Sequence, residues 1–242
     1  MIRSFVLWFL RFLIKYQNLR VHKVANYVNV ILSNTKEYYK YIDKYTNTDT
    51  IIDVGVHEGT EELYEAFSNK FFLLVDPVDN LIKKKPNNFN FIKKGLGSKI
   101  EFKKFNFHKN SGMSSFKEEI KVGRNIESEP ISSTDIEVIT LDQLIEDELK
   151  NTKNIGIKID AQGSEADIIQ GLNKNIEKVQ FIIIEMNIFH RYKNSKTFSE
   201  ITSLLLKKDF YFFNFITPSS AIPRYAHDCV FLKKDNTIFN SK

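Results

Sequence analysis

The stretch Thr50-Ile-Ile-Asp53-Val-Gly55-Val-His57-Glu58-Gly59 decides the fold. Thr50 to Val54 is β-branched and apolar and ends on an acid, which predicts a buried strand. Gly55 permits a tight turn with close backbone approach. Glu58 to Ser68 then reads as a helix. Downstream the alternation repeats: Phe71 to Val75 as a strand, Val78 to Lys85 as a short helix, Phe89 to Lys93 as a third strand. Strands alternating with helices imply a parallel sheet with right-handed crossovers.

Further along, the rhythm falters and returns. Glu101 to Phe107 could be a strand and Ser111 to Ser133 reads as loop, with Gly112 to Phe116 as a cleft wall and the rest as a lid or a solvated loop. Thr140 to Lys150 is helical, with Leu141, Leu144, Ile145 and Leu149 on one face. Ile155 to Ile159 is a strand and Ser164 to Gln170 a helix, with Gly171 fitting its C-terminus. Val179 to Ile184 is a strand apolar enough to be buried on both faces. Thr197 and Glu200 form a capping box that opens a helix to Lys207. Phe210 to Ile216 and Tyr225 to Leu232 follow with no helix between them, which predicts an antiparallel hairpin. The expected architecture is α/β: a seven-stranded, mostly parallel sheet closed by that hairpin, over residues 47–242, preceded by a helical extension over residues 1–46.

The totals suit one large domain of a globular protein. The 242 residues are 42% hydrophobic and 27% charged, with a formal net charge of +5. The basic excess is scattered lysine without a compact basic patch, so no nucleic acid is expected as a partner. Lys83 to Lys85 reads as a solvated helix end. Cys229 is the single cysteine, which excludes an internal disulfide and a cysteine-based zinc site. Phe5 to Leu10 and Phe12 to Ile14 are apolar, but a ten-residue helix rises only about 15 Å against a hydrocarbon core of roughly 30 Å. Ser4, Arg11, Lys15 and Asn18 form one polar stripe on this segment. Packing on the protein's own body, a dimer contact and a membrane-surface contact are the three readings that fit it. No export signal is seen, and a cytoplasmic location, peripheral to the membrane if that helix binds lipid, is expected.

Four predicted strands end in an acid: Asp53, Asp76, Asp160 and Glu185. In an open parallel sheet the ligand site lies outside the carboxyl ends of the strands. A carboxylate there is costly unless it is solvated, paired or ligand-bound. Gly55 and Gly59 are four apart, and the middle glycine of G-x-G-x-x-G is missing, which counts against a dehydrogenase that must cradle a pyrophosphate.

Asp53-Val-Gly55, Gly59, Asp76-Pro77, Gly112-Met113-Ser114-Ser115, Thr140-Leu141-Asp142, Lys158-Ile159-Asp160-Ala161-Gln162-Gly163-Ser164-Glu165 and Gly171, in this order, resemble the FkbM methyltransferase family. The block from Lys158 to Glu165 is the most specific. His57 stands where the family usually has Asn, Asp76 where Glu is commoner, and Ala161-Gln162 where Val-Glu is frequent. The resemblance implies a class I methyltransferase fold, S-adenosylmethionine as cofactor, and methyl transfer to a hydroxyl of a sugar, glycan or glycoconjugate, or another small-molecule acceptor. Asp53, Gly55, His57, Gly59, Asp76, Gly97 and Asp160 are the candidate cofactor residues, with Asp76 placed to accept from the ribose hydroxyls.

The acceptor must lose a proton, and a general base contributes about 10²–10⁴-fold. Asp160, Glu185, His190 and His227 are the candidates; histidine has the better intrinsic pKa near neutrality. Asp228 adjoins His227, but neighbours on a strand point to opposite faces. Asp160, Glu185 and a histidine could gather Mg²⁺, yet no compact ligand cluster is visible and no metal is expected. A non-catalytic protein that keeps the fold to bind a partner is the alternative from another class.

Overall fold

The computed structural model describes residues 20–24, 27–31, 35–79, 81–120, 129–216 and 226–239. The apolar segment of residues 5–14 and its three readings lie outside them. The strands are β1 (Arg20–Val24), β2 (Tyr27–Ile31), β3 (Thr50–Val54), β4 (Phe71–Val75), β5 (Phe89–Ile92), β6 (Gly95–Leu96), β7 (Glu101–Phe107), β8 (Ser132–Ile139), β9 (Ile155–Ile159), β10 (Val179–Asn187), β11 (Phe210–Phe215) and β12 (Ala226–Lys233). The helices are α1 (Thr35–Thr46), α2 (Glu61–Ala66), α3 (Leu141–Glu148), α4 (Glu165–Gln170) and α5 (Phe198–Leu206).

The main sheet has seven strands in the order β11-β12-β10-β9-β3-β4-β5. β3, β4, β5, β9 and β10 are mutually parallel, and β12 runs antiparallel to both β10 and β11. This is the class I methyltransferase layout expected from the sequence. The strand order reverses at β3, where the next connection crosses to β9, so the β3/β9 boundary is the switch point at which such sheets open a crevice.

The central strands read as continuous Ile, Val and Leu because both faces are covered. Ile52, Val54, Ile157, Ile159, Ile182 and Ile184 pack with α3, α4 and α5 on one face. Ile51, Phe72, Leu74, Phe181 and Ile183 pack on the other with Leu63 and Phe67 from the α2 segment and Tyr39 and Ile42 from α1. Residues 35–46 therefore belong to the main core. Thr140 caps α3 by accepting from the Gln143 N–H, and the Thr197 N–H donates to the Glu200 carboxylate at the start of α5.

Three expectations are corrected. The helical reading of residues 1–46 holds for α1 but fails at Arg20–Val24 and Tyr27–Ile31, which pair as an antiparallel hairpin; the β-branched alternation of Val28-Asn29-Val30 outweighs helix propensity there. Val78 to Lys85 forms no helix over its described residues. The Lys83 and Lys84 backbone N–H groups donate to the Glu58 carbonyl, and their side chains pair with Glu58 and Glu61. β8 starts at the end of the segment read as loop, runs on through residues 134–139 that the sequence reading left unassigned, and pairs antiparallel with β7 and parallel with β6 to build a second, three-stranded sheet. Gly171 ends α4 with φ −79°, so no left-handed conformation explains it; a Cβ there would strike the Gly97 carbonyl. Among the described residues no helix is long and apolar enough to cross a membrane.

Candidate active site

A cavity of about 410 Å³ opens at the carboxyl ends of β3, β4 and β9. Gly55, Asp76 and Asp160 form its floor; Phe105 and Phe107 from the second sheet, His108 just after it, and Ser111, Gly112, Ser114 and Phe116 form its roof. Its size is within the range of cofactor pockets, roughly 300–1,000 Å³.

Gly55 has φ +76°, and a Cβ would collide with the Asp160 carbonyl, so glycine is the residue that lets the β3 and β9 loops meet. Asp76 ends β4 nearly buried. One carboxylate oxygen accepts from the His57 N–H at 3.0 Å and the other from the Val78 N–H at 2.8 Å. Burial raises its pKa above the usual carboxylate value, and the two N–H donors oppose that rise. His57 is also in the wall, and its Nε2 lies 2.8 Å from Ser111 Oγ, a latch between the β3 loop and the roof.

Asp53 lies on the same sheet edge but on the other face. It is fully buried, accepts from Tyr64 Oη at 2.7 Å and Thr60 Oγ1 at 3.2 Å, and lies 3.8 Å from Lys158 Nζ. Gly59, with φ +104°, sits where a Cβ would strike the Lys84 carbonyl. Gly97 packs against Gly171. Asp53, Gly59 and Gly97 are outside the cavity wall, whereas Gly55, His57, Asp76 and Asp160 are in it.

Asp160, in the cavity wall, and Glu185, outside it, are joined through Gln162. Gln162 Nε2 donates to Asp160 Oδ1 at 2.8 Å and to Glu185 Oε2 at 3.4 Å. Glu185 is pushed up to about 8 by burial, with the neighbouring Asp160, Asp228 and Glu165 charges adding to it. Glu165 is buried under the same loop, accepts from the Ala161 and Gly163 N–H groups, and is pushed up to about 7 by burial.

The two histidine candidates are not brought to this pair. His190 is half-exposed, with Nδ1 2.8 Å from the Ser195 carbonyl and Nε2 3.8 Å from Glu200. His227 lies on β12 opposite Met186, its ring beside Phe215. Asp228, next to it, is opposite Glu185 instead. Among the described residues no three His, Cys, Asp or Glu side chains gather in a metal-holding arrangement. His108 and Lys94 line the cavity without having been singled out from the sequence, and Gln162 and Ser164 line it after entering only as members of the family-like block. The alternation Phe105-Asn106-Phe107 leading into His108 was the available signal for the roof.

A methyltransferase FkbM domain matches residues 53–212. The chain belongs to the FkbM methyltransferase family. Structures of similar fold include the magnesium protoporphyrin IX methyltransferase of Synechocystis PCC 6803 with bound SAM, at 8% identity and TM-score 0.41 over 82% of this chain and 77% of that one. The fibrillarin pre-rRNA processing protein of Methanococcus jannaschii matches at 10% identity and TM-score 0.44, over 90% and 83%. The precorrin-6y C5,15-methyltransferase of Geobacter metallireducens GS-15 matches at 8% and 0.42, over 82% and 88%. A search of curated proteins found no match.

This FkbM protein is an S-adenosylmethionine-dependent methyltransferase, and its cavity fits that cofactor. Asp76 offers buried carboxylate oxygens suited to a ribose diol. The Gly55 turn keeps the loop free of a side chain. Ser164 belongs to the cavity wall, and its Oγ is buried without a hydrogen-bond partner. In the FkbM frame the β4 acid and the Lys158 to Glu165 block thus converge on one cleft.

Proposed function

We propose that this FkbM methyltransferase methylates a hydroxyl of a sugar, glycan or glycoconjugate. The observation that carries this reading is the Asp160–Glu185 carboxylate pair, joined through the Gln162 amide, with Asp160 and Gln162 in the wall of the cofactor cavity. S-adenosylmethionine, when bound, supplies a sulfonium-activated methyl group. The chain must then hold a hydroxyl in line with it and take the proton the hydroxyl releases. Holding the reactants accounts for up to roughly 7–11 kcal/mol of barrier. A carboxyl held near 8 is a base matched to neutral operating pH. Gln162 holds Glu185 and Asp160 together, so the released proton is accepted within that pair. The resemblance to FkbM enzymes supports the sugar-type acceptor.

Labelled S-adenosylmethionine, offered with mono- and oligosaccharides, amines and carboxylic acids, tests this. The expected product is an alkali-stable methyl ether on a sugar, formed at a rate that rises with pH towards a plateau above about 8. Label found only in amines, or only in alkali-labile esters, would overturn the acceptor class. Full rates in both Asp160→Asn and Glu185→Gln would overturn the base.

A further inference from the structure

Gln162 joins more of the site than any group assigned above. Its backbone has φ +47°, a conformation that non-glycine residues rarely adopt and that persists where the surroundings enforce it. Its side-chain oxygen accepts from Tyr192 Oη at 2.6 Å, and Tyr192 is almost fully buried. That bond leaves the amide nitrogen facing the acids, where it donates to both Asp160 and Glu185. The backbone carbonyl accepts from Ser115 Oγ at 2.7 Å.

Ser115 begins a segment that is laced to the loop carrying Tyr192. The Ile120 N–H donates to the Arg191 carbonyl, the Lys193 N–H donates to the Glu118 carbonyl, and Arg191 Nε pairs with Glu119 at 2.9 Å. Roof, Tyr192 loop and acid pair therefore meet at one residue. A glutamate in that place would add a third carboxylate between two others. An amide instead gives each of them an N–H donor, and Tyr192 fixes which way round it sits.

We propose that Gln162 is the positioning residue of the acid pair: its amide holds Glu185 against Asp160, the member of the pair in the cavity wall, and its carbonyl ties that arrangement to the Ser115 segment. The proposal deepens the reading of the pair as proton acceptor and rests on it. The groups facing the pair are Asp228 on β12, Lys158 on β9, Glu165 on α4 and Arg191 beside Tyr192.

The test is a carbon-13 titration of side-chain carboxyls in the full chain saturated with S-adenosylhomocysteine, which needs no acceptor. A donor to the ionised form lowers a carboxyl's pKa, so Gln162→Ala should move the Glu185 midpoint up by about one unit. Gln162→Glu, which adds a like charge, should move it at least as far. Tyr192→Phe, which keeps the ring and frees the amide, should move it part of the way. Glu200, held at about 2 by Lys196 and the α5 N-terminus, is the internal control for general unfolding. A Glu185 midpoint unchanged in both Gln162→Ala and Tyr192→Phe would overturn the proposal, and if Gln162→Ala fails to fold, Tyr192→Phe alone decides. Failure of the proton-acceptor reading shows separately, as full transfer rates in the acid variants.

Discussion

Lys158 lies directly beside Asp53 in the sheet register, its ammonium 3.8 Å from the aspartate and, like it, withdrawn from solvent. The same ammonium is 3.9 Å from Asp160, so one buried cation stands between the fully buried acid of β3 and the acid at the cavity. Burial alone would lower the lysine pKa, and the Asp53, Asp160 and Asp228 charges overcome it, leaving the pKa raised.

Removing one partner of a buried pair strands the other charge, at a cost of roughly 3–5 kcal/mol. Lys158→Met should therefore destabilise the fold by about that amount, and adding Asp53→Asn should restore part of the loss. Urea unfolding at pH 7 measures both. Because the folded lysine pKa is raised, its contribution is complete below the unfolded value of about 10.4 and is lost only as pH rises through the folded value. A Lys158→Met variant as stable as the parent would show that the pair contributes nothing.

Asp76→Ala removes the carboxylate that faces the cavity. If it accepts from the ribose hydroxyls, S-adenosylhomocysteine affinity should fall by about 1.5–3 kcal/mol, roughly ten- to a hundredfold. Calorimetric titration of the folded variant gives the number. Unchanged affinity would reduce Asp76 to a brace for the His57 and Val78 N–H groups.

Glu185 bears on stability with the opposite pH sense from a paired acid. Its folded pKa of about 8 is above the unfolded value of about 4.3. Its contribution is complete below about 4.3 and is lost as pH rises through about 8. Glu185→Gln should therefore match the parent near pH 4 and exceed it increasingly as pH rises towards 8. Parallel unfolding curves at the two pH values, with no divergence, would contradict this.

The seven strands of the main sheet were legible because burial on both faces leaves an unbroken apolar run, as in Val179 to Ile184 and Ile155 to Ile159. β8 was not, because Ser132-Ser-Thr-Asp135 is exposed and only Val138 and Ile139 at its end are buried. The acids at strand ends pointed to the edge of the sheet at which the cavity opens. They did not say on which face of that edge each side chain falls, and Asp53 falls away from the cavity. Gln162 was seen only as a departure from a family pattern. Its importance comes from a tyrosine thirty residues on and a serine forty-seven residues back, contacts that no local spacing encodes.

The roof of the cavity is rooted at neighbouring points. Gly95 and Leu96 leave β5 and pair at once with Val138 and Ile139, which lead straight into α3. The excursion between those roots is a single insertion in the chain, pinned back to the floor by Ser111 against His57 and by Ser115 against Gln162, so cover and base are stitched together from both ends and from the middle.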